Sequence, residues 1–369
     1  MAKKKEMPDT QAACGCPHNP NSSNHHKTIN LAIQGGGAHG AFAWGVMDKL
    51  IEDGRLKIDG LCGTSAGAMN AVVFAYGNMI GGADGARQAL HTFWKKVSDS
   101  GAVYNPLRQT PWGRMLNRWT SENSWSLNLF EIISKTFSPY QLNPANYNPL
   151  RNVLAHCVDF NVLKRCQETK LFIGTTKVRS GNVRVFKTDE ITIDVVMASA
   201  CLPQLFQAVE IEGEHYWDGG YMGNPALFPL FYHTDTRDVM IIHINPLERD
   251  TLPREADDIM DRLNEITFNS SLISEIRAIS FVTKLLEENW LKDEFKGRLK
   301  NMLMHSIRAD KVLADLKVAS KFNCDWDFLT DLRDRGRATA EQWLKDNFDK
   351  IGKESTVDLR KDFLCIGAE

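Results

Sequence analysis

The sequence predicts an α/β layer fold with a helical segment at its C-terminal end, and three observations carry that prediction. Between Thr28 and about Leu247, short β-branched or apolar runs alternate with helical patterns, as strands and helices do when they stack in layers. Glycine-rich turns join the first two of those runs to the helices that follow them. After Pro246 the character changes to charged segments whose apolar residues recur near the helical period of 3.6.

Residues 1–27 are polar and poor in branched apolar side chains, a composition that predicts an unstructured tail. Thr28–Gln34 reads as a buried strand and Gly40–Glu52 as a helix. Ile58–Cys62 reads as a second strand and Ala66–Tyr76 as the next helix. Later strands are expected at Leu171–Val178, Val183–Lys187, Ala208–Ile211, His215–Trp217 and Val239–Ile244. From Gly101 to Leu150 the pattern breaks, and Trp112, Trp119, Trp125, Phe130, Phe137, Tyr140 and Tyr147 are interleaved with Asn, Pro and Ser. Such a segment is either a lid or a packed excursion. Beyond it, Ile259, Leu263, Ile266, Ile273, Ile276, Ile279 and Leu286 form a helical stripe. The polar face of that helix mixes Asp261, Arg262, Glu265, Glu275, Arg277 and Lys284. This is not a basic, membrane-seeking face, so packing on the preceding domain is expected. The expected divisions are a tail over 1–27, a catalytic domain over 28–250 and a helical extension over 251–369.

At 369 residues, 43% apolar and 24% charged, the chain has the composition of a globular protein with a sizeable core. A formal net charge of −2 gives no electrostatic reason for a nucleic-acid partner or an anionic membrane. No run approaches the roughly 18 apolar residues that span a bilayer. The first 27 residues also lack the apolar core of a signal peptide. Membrane contact is therefore expected to be peripheral and the location cytoplasmic. Eight cysteines are scattered along the chain, several in apolar runs, as buried free thiols of a reducing compartment are. Cys14, Cys16, His18, His25 and His26 fit no standard zinc module, so no metal is expected.

Three motifs carry chemistry. Gly35-Gly36-Gly37-Ala38-His39-Gly40 follows a strand and opens a helix. It also satisfies the dinucleotide fingerprint in its usual context, but a dinucleotide fold ends its second strand on an acidic residue. Here Asp59 stands near the beginning of that strand. The strand runs instead into Gly63-Thr64-Ser65-Ala66-Gly67, a G-x-S-x-G between strand and helix. A sharp turn there strains the serine backbone, and Gly63 and Gly67 remove side chains that would collide. Ser65 Oγ is then presented at a helix N-terminus, whose dipole favours developing negative charge. A nucleophilic serine needs a base, and Asp218-Gly219-Gly220 after the short strand His215–Trp217 offers one. Alone, Asp-Gly-Gly is an ordinary turn; the three motifs in this order are far more specific.

With these residues the chain resembles the patatin-like phospholipase family from about Thr28 to Pro246. The segments Tyr140–Arg151 (YQLNPANYNPLR) and Ala198–Phe206 (ASACLPQLF) also look like bacterial members. The resemblance implies a three-layer α/β/α sandwich around a mainly parallel sheet, with a Ser–Asp dyad and no catalytic histidine. It implies Ser65 as nucleophile and Asp218 as base. It further implies an oxyanion hole in the turn Gly35, Gly36, Gly37 and Ala38, the last three through backbone N–H groups. Many members have Arg or Lys where this chain has His39, so a fixed positive charge beside the turn is in question. The activity implied is hydrolysis of lipid carboxylic esters, of phospholipase A or lysophospholipase type, with a lipid ester as partner and no cofactor. Three alternatives stay open. One is an α/β-hydrolase triad using His233 or His243 after Asp218; the others are a nucleotide site and a catalytically silent binding module.

Overall fold

The computed structural model describes residues 26–104, 137–249, 251–292 and 299–364. Most of the expected tail, the Cys14, Cys16, His18 and His25 group, and Trp112, Trp119, Trp125 and Phe130 lie outside the described residues. The strands are β1 (Lys27–Ile33), β2 (Leu56–Gly63), β3 (Lys170–Lys177), β4 (Val183–Lys187), β5 (Val209–Ile211), β6 (Glu214–Asp218), β7 (Asp238–His243) and β8 (Leu303–Arg308). The first seven fall on the runs that the sequence marks. The longer helices are α1 (Gly40–Asp53), α2 (Ala66–Tyr104), α3 (Pro149–Cys157), α4 (Ile193–Ser199), α5 (Phe228–His233), α6 (Ala256–Glu287), α7 (Trp326–Asn347) and α8 (Leu359–Leu364). The span called α2 is two helical segments broken at Gly81 and Gly82, which leave helical geometry, and the segments fold back on each other: a Cβ on Gly77 would stand 2.6 Å from the Gly85 carbonyl oxygen and from Ala89 Cβ.

All eight strands join one sheet. The succession β3-β2-β1-β7-β8 is parallel throughout, whereas β4 and β6 pair antiparallel with β3, and β5 pairs antiparallel with β6. The chain builds outward from β1 on one side through β2 and β3, then returns to the other side for β7. The carboxyl end of β1 is therefore a topological switch point, where open α/β sheets bind ligands.

Period-two alternation sorts the strand residues onto two faces. Leu31, Ile33, Leu61, Met240 and Ile242 enter one core, against α1, α2, α4 and α7. Ala32, Cys62, Val239 and Ile241 enter the other, with Leu230 of α5, Leu272 and Ile276 of α6, and Phe363 of α8. Both faces are covered, which gives a three-layer α/β/α sandwich.

The C-terminal helices are present, and a strand not anticipated from the sequence lies between them: β8 extends the parallel sheet beside β7. Helix α7 packs on α1 at a close crossing made by paired glycines. A Cβ on Gly336 would stand 2.1 Å from the Phe42 carbonyl oxygen, and one on Gly45 would stand 1.9 Å from that of Arg333. The stripe on α6 divides along its length. Leu272, Ile276 and Ile279 are buried on the sheet, while Ile259, Leu263 and Ile266 are exposed. Among the described residues no helix is long and apolar enough to cross a membrane.

Candidate active site

Two strand ends meet on β3. Strand β2 runs along β3 until Gly63 pairs with Ile173, and β6 comes the opposite way until Asp218 pairs with Thr175. Since β4 occupies the other edge of β3 from Phe172 to Thr176, β2 and β6 share one edge and converge at Gly174. Antiparallel pairing of β6 thereby delivers Asp218 to the residue that follows β2.

That residue is Ser65, in the turn between β2 and α2. Its φ is 55°, the left-handed region that side chains seldom occupy. The elbow is held by its own polar contacts. Gly67 N–H donates to the Thr64 carbonyl at 2.8 Å, Thr64 Oγ1 donates to the Gly223 carbonyl at 2.6 Å, and Ser65 N–H donates to Ser199 Oγ at 3.0 Å. Ser199 Oγ in turn donates to the Gly174 carbonyl at 2.7 Å. Gly67 is required by close approach, since a Cβ there would stand 2.3 Å from the Ile33 carbonyl oxygen. Ser65 is half-buried.

Asp218 is 1% exposed. Its Oδ1 accepts the Gly220 N–H at 2.7 Å, and the nearby Ser65 hydroxyl favours its ionised form. Burial pushes the carboxyl up to about 7 against the pull of the Gly220 N–H and the Ser65 hydroxyl. A carboxylate of such proton affinity is a far better base than an exposed aspartate.

The Gly-rich turn lies at the carboxyl end of β1. Gly35 N–H donates to Asn224 Oδ1 at 2.7 Å, and the Gly35 carbonyl accepts from Asn245 Nδ2 at 2.8 Å. Gly35 is thus an anchor of the turn, with its own N–H engaged. Gly36 and Gly37 are the more exposed part, and among the described residues their N–H groups have no protein acceptor. Gly37 has φ 58°, and a Cβ there would stand 2.5 Å from the Lys321 carbonyl oxygen. His39 is buried, with Nε2 2.7 Å from Ser320 Oγ. Burial, helped by repulsion from Lys321, pulls its ring down to about 3, so position 39 carries no positive charge at neutral pH.

The histidines of the triad alternative lie elsewhere. His243 is buried against Phe363, with neither ring nitrogen bonded among the described residues. His233 stacks on Phe172. The Asp59 carboxylate accepts the Asp235 and Thr236 N–H groups, near the start of β2 and away from the Gly-rich turn. Several residues that shape the site carry no motif. Asn224, Asn245, Ser199 and Lys321 are ordinary in sequence, and only the Asn-Pro pair at 224–225, shortly after Asp-Gly-Gly, marks an irregular turn.

A family model described as patatin-like phospholipase matches residues 31–231. No curated protein matches the chain. Among solved structures, VipD from Legionella pneumophila aligns at TM-score 0.39 and 16% identity, over 92% of this chain and 73% of that one. The type III effector protein ExoU aligns at TM-score 0.32 and 16% identity, over 87% and 53%. ExoU with SpcU, from the type III secretion system of Pseudomonas aeruginosa, aligns at TM-score 0.30 and 13% identity, over 87% and 54%. The chain spans about half the length of the ExoU chains.

Proposed function

The chain belongs to the patatin-like phospholipase family, and from that premise we propose that it is a serine acyl hydrolase acting on lipid carboxylic esters of phospholipase A or lysophospholipase type. Membership supports a lipid hydrolase; the residue roles are our reading of the site. The observation that carries them is a strained, half-buried Ser65 at the N-terminus of α2, brought by the converging ends of β2 and β6 beside a buried Asp218 of raised proton affinity.

In this reading Asp218 takes the Ser65 proton as Oγ attacks the ester carbonyl. Negative charge moves onto the carbonyl oxygen, facing the Gly36 and Gly37 N–H groups and the positive end of α2. The tetrahedral adduct collapses, the C–O bond to the alcohol breaks, and Asp218 returns the proton to the leaving oxygen. Water then attacks the acyl-serine, gives its proton to Asp218, and the acid departs while Ser65 regains its hydrogen. The dyad needs no histidine because the carboxyl's proton affinity already lies near neutral pH.

The test pairs turnover of a p-nitrophenyl ester series with labelling by a fluorophosphonate. Ser65→Ala is expected to lose both together, with turnover down at least ~1,000-fold. Asp218→Asn is expected to fall comparably while remaining folded. A folded Asp218→Asn protein with near-normal turnover would remove the dyad.

A further inference from the structure

The Gly-rich turn is buttressed from behind by the C-terminal segment. A short 3-10 helix, Val318–Phe322, lies against it, and the Lys321 carbonyl closes on Gly37. The Lys321 side chain reaches the same turn by another route. Its Nζ donates to Asn245 Oδ1 at 2.7 Å, and Asn245 Nδ2 donates to the Gly35 carbonyl at 2.8 Å. Asn245 is itself pinned, because its backbone N–H donates to Gln34 Oε1 at 3.0 Å.

We propose that Lys321 is a positioning residue for ester hydrolysis: its ammonium, relayed through Asn245 to the Gly35 carbonyl, orients the Gly-rich turn and sets a positive charge behind the oxyanion. This rests on the oxyanion role given to the turn above. An amide polarised by an ammonium is the better donor to Gly35, and fixing that carbonyl fixes the direction of the next two N–H groups. With His39 neutral, Lys321 stands in as a cation for this turn, brought from nearly 300 residues later in the chain.

The groups facing Lys321 come from three elements. Asp261 and Glu265 approach from α6, Arg249 from the segment after β7, and His39 from the turn itself. Glu265 is held by Arg249 and Arg262, and Asp261 accepts the Val318 N–H. Neither carboxylate is therefore devoted to Lys321. Burial pulls the ammonium down to about 8, so its charge is full below about pH 7 and lost above about pH 9.

The experiment is the pH profile of kcat and KM for p-nitrophenyl ester hydrolysis by the full chain, wild type beside Lys321→Met and Lys321→Arg. The wild type is expected to show an alkaline limb near pH 8. In Lys321→Met kcat should fall about 10- to 100-fold with KM nearly unchanged, and the limb should vanish. Lys321→Arg should restore most of kcat and stay active to about pH 10, since guanidinium keeps its charge. Lys321→Arg retaining the limb near pH 8 would overturn the proposal, and this holds even if Lys321→Met fails to fold. So would Lys321→Met with wild-type kcat. A wild type that hydrolyses no ester sinks the catalytic reading itself, a different outcome from an active wild type indifferent to Lys321.

Discussion

Ionising Asp218 places a negative charge where water cannot reach it, and the Gly220 N–H and the nearby Ser65 hydroxyl do not make up for the lost hydration. Two consequences follow at the level of this one carboxyl. In the proposed mechanism it is the base and must be unprotonated, so kcat/KM should rise with pH on a limb of apparent pKa near 7, read from the wild-type profile. Stability should move the other way. Between about pH 4 and 7 the unfolded chain releases a proton that the folded chain keeps, so folding weakens as pH rises through that window. Asp218→Asn should therefore unfold at higher denaturant than wild type at pH 8, by up to about 4 kcal/mol, with the gap closing towards pH 4. Equal midpoints at both pH values would mean the buried charge is relieved by something else. Ser65 and Asp218 were legible as candidates because each sits in a glycine-rich turn whose geometry leaves a local signature. Asn224, Asn245 and Lys321 were not, because their roles arise only from contacts across the fold: Asn224 and Asn245 meet Gly35, 189 and 210 residues away in sequence.

Among the elements, strands were legible where apolar runs or a two-residue alternation mark them, and one strand with a buried polar pair in its middle was not. Strand β8, LMHSIR, is the instructive case. His305 is buried in it with Nε2 2.9 Å from Asp238 and Nδ1 3.1 Å from Thr356 Oγ1, so a satisfied polar pair takes a place where an apolar residue would have revealed the pattern. The helix expected to end at Tyr76 stops a turn later, at the glycines 81 and 82, where the chain reverses into a second helical segment packed on the first through Gly77 and Gly85. The crossing of α1 and α7 was equally hidden, since a glycine in a helix pattern reads as a mere weakness. Gly336→Ala separates two effects of opposite sign. Helix propensity favours alanine by about 1 kcal/mol, whereas the new methyl would stand 2.1 Å from a backbone oxygen of α1. Backbone yields less readily than a side chain, and overpacking of this kind costs about 1–3 kcal/mol. The clash should win, so urea unfolding of Gly336→Ala is expected at a lower midpoint than wild type, and Gly336→Val lower still. A raised midpoint for the alanine variant would mean that the helices are not in close contact there.

At the scale of the molecule, the question is whether residues 28–250 form a unit that folds without the rest. The family match ends at residue 231, and composition alone divides the chain near 250. The packing argues against that division as a physical one. Strand β8 covers the hydrogen-bonding edge of β7 from Asp238 to His243, α6 and α8 cover Val239 and Ile241 on one face, and α7 covers Phe42, Trp44 and Val46 on the other. Uncovering those five apolar side chains even by half forfeits about 1 kcal/mol each, and opens a long apolar strand edge to other chains. The sum is comparable with the whole net stability of a domain, about 5–15 kcal/mol. The Gly-rich turn would lose its support at the same time, because Ser320 and Lys321 leave with the segment. A chain ending at residue 250 is therefore expected to aggregate or to unfold without a cooperative transition, and to hydrolyse no ester. If it instead melted cooperatively and turned over substrate, the C-terminal segment would be an accessory to a complete catalytic domain, and the role given to Lys321 would fall with it.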